Sequence, residues 1–312
     1  MVRAADRPLL GIVLMLGFCI LAPMGDATAK LLGERLPVGQ LVTIRFILQA
    51  VFLVPFVLLA PSTLRMPRRV LWLIVLRTAL HIVGIGAMFL SLTVLPIAEA
   101  IAIAFVMPFI MLLLGHFVLG EEVGPRRMIA CSVGFVGTLL VVQPTFAAVG
   151  PWALLPLLVA VAFSLFMLVT RGIAKDVDPI ALQFVSGLMA CTVLIPVMLL
   201  LDGSGLPHLD LEMPVRHEWL LLGLLGLLGT CGHLLMSWSL RFAPGATLAP
   251  VQYLEIPVAT LIGWIVFSAL PNGLAALGIA ITLAAGLYIV LRERSLSRAA
   301  RPAPGSAPGA AE

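Results

Sequence analysis

Eight ionisable residues lie within long apolar stretches of the chain: Asp26, Lys30, Arg45, Arg77, His81, Glu99, His233 and Glu255. Lipid offers such groups no hydrogen bonds, so each must face protein or a water-filled cavity. A carboxyl, guanidinium or imidazole held there can bind a polar solute or carry a proton. Arg77 and His81 are four apart and share one helix face. At ~1.5 Å per residue, His81 comes near mid-membrane, and Glu255 reaches a similar depth from the same side. The expected central site is therefore Arg77, His81 and Glu255, with Tyr253, Trp238 and Gln252 adding stacking and hydrogen bonding. Arg45 and Glu99 fall in the outer halves of their helices and are expected to pair as a gate. Asp26 and Lys30 sit nearer helix ends, where side chains can snorkel into water. His116 and His233 fit hydrogen-bonded packing positions.

Other chemistries lack their residues. No H-E-x-x-H, paired acidic motif or nucleophile elbow is present, and Gly203-Ser204-Gly205 lacks the five-residue elbow pattern. Cys19, Cys131, Cys191 and Cys231 lie in apolar stretches without a C-x-x-C pair and read as small buried residues. Neither a metal nor a cofactor is expected, and the chain does not read as an enzyme. His208, Asp210, Glu212, His217 and Glu218 share one polar loop, read as solvated.

The elements that must position the ionisable groups are membrane helices. The chain has 312 residues, of which 61% are hydrophobic and 11% charged, with mean hydropathy +1.15. A soluble globule would need more polar surface. Apolar spans run over 9–25, 38–60, 70–92, 94–119, 128–142, 151–170, 180–201, 219–240, 245–270 and 274–291. The fourth, an almost wholly apolar helix carrying Glu99, covers ~40 Å including its flanks, enough to cross a bilayer. Single prolines within spans, among them Pro108 and Pro257, are expected to kink their helices and act as hinges. Gly226 and Gly229, with Gly223 and Gly232, form a wrapping groove on the eighth span suited to close packing.

Basic residues, 19 against 15 acidic, are spread over short loops and follow topology rather than a nucleic-acid surface. One side collects Arg65, Arg68, Arg69, Arg126, Arg127, Arg171, Lys175, Arg241 and the basic residues of both termini. The other has Lys30, Arg35 and Arg216. Both termini are therefore expected in the cytoplasm, as in a multi-pass protein of a bacterial inner membrane. Ala27-x-Ala29 could pass for a signal-peptidase site, but cleavage would leave an odd number of helices, so the first span is read as retained. Residues 1–8 are an N-terminal cytoplasmic segment and 292–312 a disordered tail.

Ten spans suggest two halves of five, and an odd number per half inverts the second half relative to the first. Leu36-Pro37-Val38 matches Asp178-Pro179-Ile180. Leu95-Pro96-Ile97 matches Ala243-Pro244-Gly245, and Met107-Pro108-Phe109 matches Ile256-Pro257-Val258 with a one-residue slip. The expected fold is an all-α membrane protein of two inverted five-helix repeats, 9–144 and 150–291.

These motifs, together with Leu119-Gly120-Glu121, Arg126-Arg127, Gly134-Phe135-x-Gly137 and Val142-Gln143-Pro144, resemble the first EamA domain of the drug/metabolite transporter superfamily. Ala243-Pro244 through Leu254-Glu255-Ile256-Pro257 and Gly278 to Gly286 are similar to the second. Where that family usually repeats Leu-Gly-Glu, this chain has Ser268-Ala269-Leu270-Pro271. The resemblance implies a secondary transporter of a small polar metabolite, amino-acid-like, vitamin-like or nucleoside-like, working by alternating access. Protons are the candidate coupling ion, through His81, Glu99 and Glu255. The chain is read as a monomer or homodimer in the bilayer. A passive facilitator or non-transporting membrane subunit is the alternative, since neither needs a coupling residue.

Overall fold

Proline placement sets where the helices begin, because a residue before proline avoids helical geometry and proline's missing N–H costs nothing in the first turn. Pro37, Pro67 and Pro96 immediately precede helices, and Pro8, Pro125 and Pro179 open them. Asp178 completes one such start: its carboxylate accepts from the backbone N–H groups of Ile180 (3.0 Å) and Ala181 (3.2 Å). The computed structural model describes residues 7–60, 64, 66–119, 125–243 and 245–299.

The described residues form helices and no strand: α1 (Pro8–Leu32), α2 (Val38–Leu59), α3 (Arg68–Leu92), α4 (Ile97–Ala104), α5 (Met107–Leu119) and α6 (Pro125–Val149). A 3₁₀ turn over Gly150–Leu154 leads to α7 (Leu155–Ile173), α8 (Pro179–Leu201), α9 (Arg216–Phe242), α10 (Gly245–Gln252), α11 (Glu255–Phe267) and α12 (Gly273–Ala299). Gly150 has φ +66°, a left-handed conformation that glycine adopts freely, and so lets α6 end and the chain turn. Among the described residues, seven helical stretches are long and apolar enough to cross a membrane, with shorter apolar helices at Glu255–Phe267 and Gly273–Ala285. The protein is therefore all-α and polytopic.

Two expectations about helix continuity are corrected. The fourth span is not one kinked helix: it breaks at Phe105-Val106 into α4 and α5. The ninth breaks at Tyr253-Leu254 into α10 and α11. Pro108 and Pro257 lie at the second and third positions of the new helices, where a proline is tolerated and the missing N–H stops the preceding helix from continuing. Pro23, Pro55 and Pro196, by contrast, stay inside continuous helices. The last helix also runs past Leu291 to Ala299, into the expected disordered tail, because the Pro- and Gly-rich composition begins only at Pro302. Residues 300–312 and Leu-Gly-Glu beyond Leu119 lie outside the described residues.

The later helices of the two halves correspond closely. The starts of α3 to α6, at 68, 97, 107 and 125, recur at 216, 245, 255 and 273, a constant spacing of 148 residues. α4 and α10 both have 8 residues, and α5 and α11 both have 13. Packing follows the same exchange. α1 lies on α9 and α3 on α7; α2 lies on α8 and α6 on α12; α4 meets α11 as α5 meets α10.

Small residues permit the closest of these approaches. A Cβ on Gly137 would lie 2.8 Å from the Gly278 carbonyl oxygen, and one on Gly278 would lie 2.5 Å from that of Gly137, so the backbones of α6 and α12 touch. On α9, a Cβ on Gly226 would lie 2.5 Å from Leu48 Cβ of α2, and one on Gly229 2.7 Å from Arg45 Nε. Gly223 faces open space. The glycine groove thus packs against α2 through its middle members only.

Candidate functional site

A chamber opens where the two broken spans cross. Its wall takes Asp26 and Phe18 from α1, Arg45 from α2, Met88 and Phe89 from α3, and Phe105 and Met107 from the first break. From the second half come Phe163 and Met167 of α7, His233 and Met236 of α9, Gln252 of α10 and Glu255 of α11. The space open to the centres of water-sized spheres is about 90 Å³. One water needs ~10–15 Å³ on that measure, so the chamber takes a water cluster or a small ring system. Phenylalanines and methionines are spread through an otherwise largely aliphatic wall, suited to the face of a flat ring.

Phe105 and Tyr253 occupy corresponding places in the two breaks, and their rings pack together with centroids 5.3 Å apart. Two residues on, Met107 and Glu255 also correspond, and both line the chamber. Glu255 is 8% exposed and Asp26 9%. Neither carboxylate has an ion-pair partner: among the described residues the salt bridge is Arg35 with Glu218. Asp26 was expected to snorkel; instead it is buried because α1 continues to Leu32, well past it.

Arg45 does not pair with Glu99. Its Nη2 lies 3.0 Å from His233 Nδ1, with its guanidinium over the Phe46 ring at 5.2 Å. Glu99, in the first turn of α4, accepts from Thr145 Oγ1 of α6 at 2.8 Å. Arg77 does not meet Glu255 either. It is fully buried, donates from Nε to Thr170 Oγ1 and from Nη1 to Ser186 Oγ, each 2.8 Å, and stands over Phe166 at 4.3 Å. These residues lie on the expected helices, but they face other directions around them than the expected pairs require. Arg77 points at α7 and α8, behind the chamber wall.

His81 is equally buried, enclosed by Phe46, Phe163 and Phe166, with its ring 4.3 Å from that of His233. His233, read from sequence as a packing residue, is thus the link between the chamber and the Arg77–His81 layer. Beside it, Gln183 Nε2 donates to the His233 carbonyl oxygen and Ser237 Oγ, both 3.0 Å, and Gln49 Nε2 donates to the Gln183 carbonyl oxygen at 2.8 Å. Trp238 is half-buried on α9 and does not line the chamber.

One end of the molecule carries cross-half polar links. Arg35, between α1 and α2, forms a two-pronged pair with Glu218 at the start of α9 and donates to the Met213 carbonyl oxygen at 2.8 Å. Gln40 exchanges hydrogen bonds with the Glu212 backbone (2.7 and 2.9 Å). Glu218 is therefore tied down rather than solvated. At the other end, Arg7 N–H donates to the Phe242 carbonyl oxygen (2.9 Å) and Ser239 Oγ to that of Gly11 (2.8 Å).

Among the described residues, no group of three His, Cys, Asp or Glu side chains is placed to hold a metal ion. Cys19, Cys191 and Cys231 are free thiols.

The sequence profile described as the EamA-like transporter family matches residues 9–143 and 150–292. A riboflavin transporter of Rhizobium johnstonii is 30% identical over 228 residues, covering 73% of this chain and 72% of that protein. An S-adenosylmethionine uptake transporter of Rickettsia prowazekii is 24% identical over 288 residues, 91% of this chain and 93% of its own. One solved crystal structure superposes with TM-score 0.66 at 20% identity, over 93% of this chain and 98% of the other, a likeness of fold.

Proposed function

We propose that this chain, which belongs to the EamA-like transporter family of the drug/metabolite transporter superfamily, is a ten-span secondary transporter. It moves a ring-bearing polar metabolite across the bacterial inner membrane by alternating access. The observation that carries this reading is the chamber itself. Both halves contribute to it, and its largely aliphatic wall, set with phenylalanines and methionines, is interrupted by an unpaired carboxyl from each half, Asp26 and Glu255. A wall of that kind holds a flat ring by its faces and fixes its polar edge.

The count of ten spans takes the 42-residue stretch Ser132–Ile173 as two, since at ~1.5 Å per residue it would be twice a hydrocarbon core in length. It also takes each broken helix pair as one crossing. Inversion of the halves is supported by direction. Gly39 of α2 faces Met198 of α8, while Gly187 faces Phe46 and Ala50, so these corresponding helices run antiparallel. Two equivalent helices that run antiparallel are related by an axis across the helices, which in a bilayer lies in the membrane plane. We assign 9–144 and 150–291 as the repeats, with both termini cytoplasmic.

Riboflavin and S-adenosylmethionine, named for the relatives, both contain a flat heteroaromatic ring system, and this is the substrate class taken here. Glu255, with Asp26 facing the same chamber, is the proposed proton-coupling group. The test is uptake of labelled riboflavin and labelled S-adenosylmethionine into cells or vesicles, with a panel of ring-bearing competitors. Accumulation above the external concentration, abolished by a protonophore and by Glu255→Gln, is the expected result. Equilibration without accumulation would make the protein a passive facilitator, and no movement of any ring-bearing solute would overturn the substrate class.

A further inference from the structure

One corner of the chamber holds more N–H donors than acceptors, although Asp26 on the same wall interacts with Arg45 through space. Arg45 is 2% exposed, and its Nη1 has no partner. His233 is 5% exposed, and its Nε2 has none. His233 Nδ1 lies 3.0 Å from Arg45 Nη2 and also 2.9 Å from the Gly229 carbonyl oxygen, and can serve one of them. A guanidinium has no lone pair, so keeping the Arg45 bond places the imidazole proton on Nε2, where nothing accepts it. Placing the proton on Nδ1 for Gly229 leaves Arg45 Nη2 as a further donor without an acceptor. Either tautomer leaves surplus N–H groups in the corner.

The surroundings reinforce this excess. Arg77 stands in the layer behind with Nη2, which can only donate, unpartnered. No carboxylate is hydrogen-bonded to Arg45 or Arg77 among the described residues. The corner is also built rather than incidental: any side chain at Gly229 would occupy the place of the Arg45 guanidinium. Buried guanidinium N–H groups without an acceptor are costly, and an anion is the ligand that satisfies several at once.

We propose that the Arg45–His233 corner seats an anion, either an acidic group carried by the substrate or a free halide bound beside it. This rests on reading the chamber as the substrate site, but its first test requires no transport. Purified protein in detergent is unfolded thermally across a titration of chloride against gluconate at constant ionic strength. A halide that binds the native state raises its melting temperature with concentration.

If the anion is free halide, wild type shows this rise and Arg45→Gln does not, whereas Arg35→Gln at the membrane edge keeps it. If the anion belongs to the substrate, the melting temperature ignores halide. Uptake then prefers an acid over its neutral ester by roughly tenfold or more, the size of a charge-assisted hydrogen bond, and Arg45→Gln removes that preference. Should Arg45→Gln fail to fold, Gly229→Ala keeps both donors but displaces the guanidinium, and should lose the same response. A wild type with neither halide stabilisation nor acid preference overturns the seat. A wild type that is halide-stabilised yet moves no ring-bearing solute keeps the seat and overturns the substrate class instead.

Discussion

Two glycines one turn apart on α9 offer a test in which the same substitution should act with opposite sign. Gly223 faces open space, and replacing it with alanine removes only the entropic cost of glycine in a helix, about 0.5–1 kcal/mol in favour of folding. Gly226 gains the same helical term, but its new methyl would lie 2.5 Å from Leu48 Cβ and 2.6 Å from Leu48 Cδ1. Because the first of these atoms is fixed to the backbone of α2, rotation of the leucine cannot relieve it. The helices must separate, and overpacking of this kind costs about 1–3 kcal/mol. The difference between the two variants cancels helix propensity and isolates packing at the α2–α9 contact. Gly223→Ala should melt at or above wild type and Gly226→Ala below it, in thermal unfolding of the detergent-purified protein. Gly226→Ala should also slow uptake, since α2 and α9 belong to different halves. Equal shifts in the two variants would refute the account of this interface.

Three further outcomes follow from the polar contacts. Thr170→Val keeps side-chain shape but strips the acceptor from Arg77 Nε, and should destabilise by about 1–3 kcal/mol in the same unfolding assay, the cost of an unsatisfied buried donor. Lys30→Met removes donation to the Leu92 and Leu95 carbonyl oxygens at the turn between α3 and α4. A loss of about 1–2 kcal/mol is expected with uptake retained, because Lys30 does not line the chamber. Arg35→Glu should weaken the cross-half links at that end of the molecule, and adding Glu218→Arg should restore the uptake rate towards wild type; failure of the swap to recover it would remove the cross-half pair from the transport cycle.

The sequence made the membrane class and the family legible because both depend on one-dimensional properties: run length, hydropathy and ordered short motifs. It also gave the helix on which each buried charge lies, since those helices lie in apolar runs of spanning length. What it withheld was azimuth. Arg77 and Glu255 lie on the expected helices, but a helix turns ~100° per residue, and small uncertainty in phase decides whether a side chain faces the chamber or the layer behind it. Asp26 and His233 were underweighted for the related reason that a single ionisable residue in an apolar run shows no partner until its neighbours are placed. The helix breaks were marked by Pro108 and Pro257, but whether a proline bends a helix or starts a new one depends on what the freed groups meet, and Pro23 and Pro196 show the other outcome.

The correspondence of Met107 with Glu255 has an energetic consequence. If the two halves carried identical side chains, exchanging their conformations would generate a mirror state of equal free energy, and the protein would rest open to either side with equal population. The backbone around the breaks nearly meets that condition, with α4 and α5 matching α10 and α11 in length and in spacing. The chamber does not, since a thioether on one break stands where the other has a carboxyl, and a phenyl where the other has a phenol. Under the proposed alternating access, the degeneracy is lifted at those points, and the resting population is set by side chains the repeat does not share. Glu255→Met together with Met107→Glu would then transplant the bias to the opposite face rather than simply abolish it.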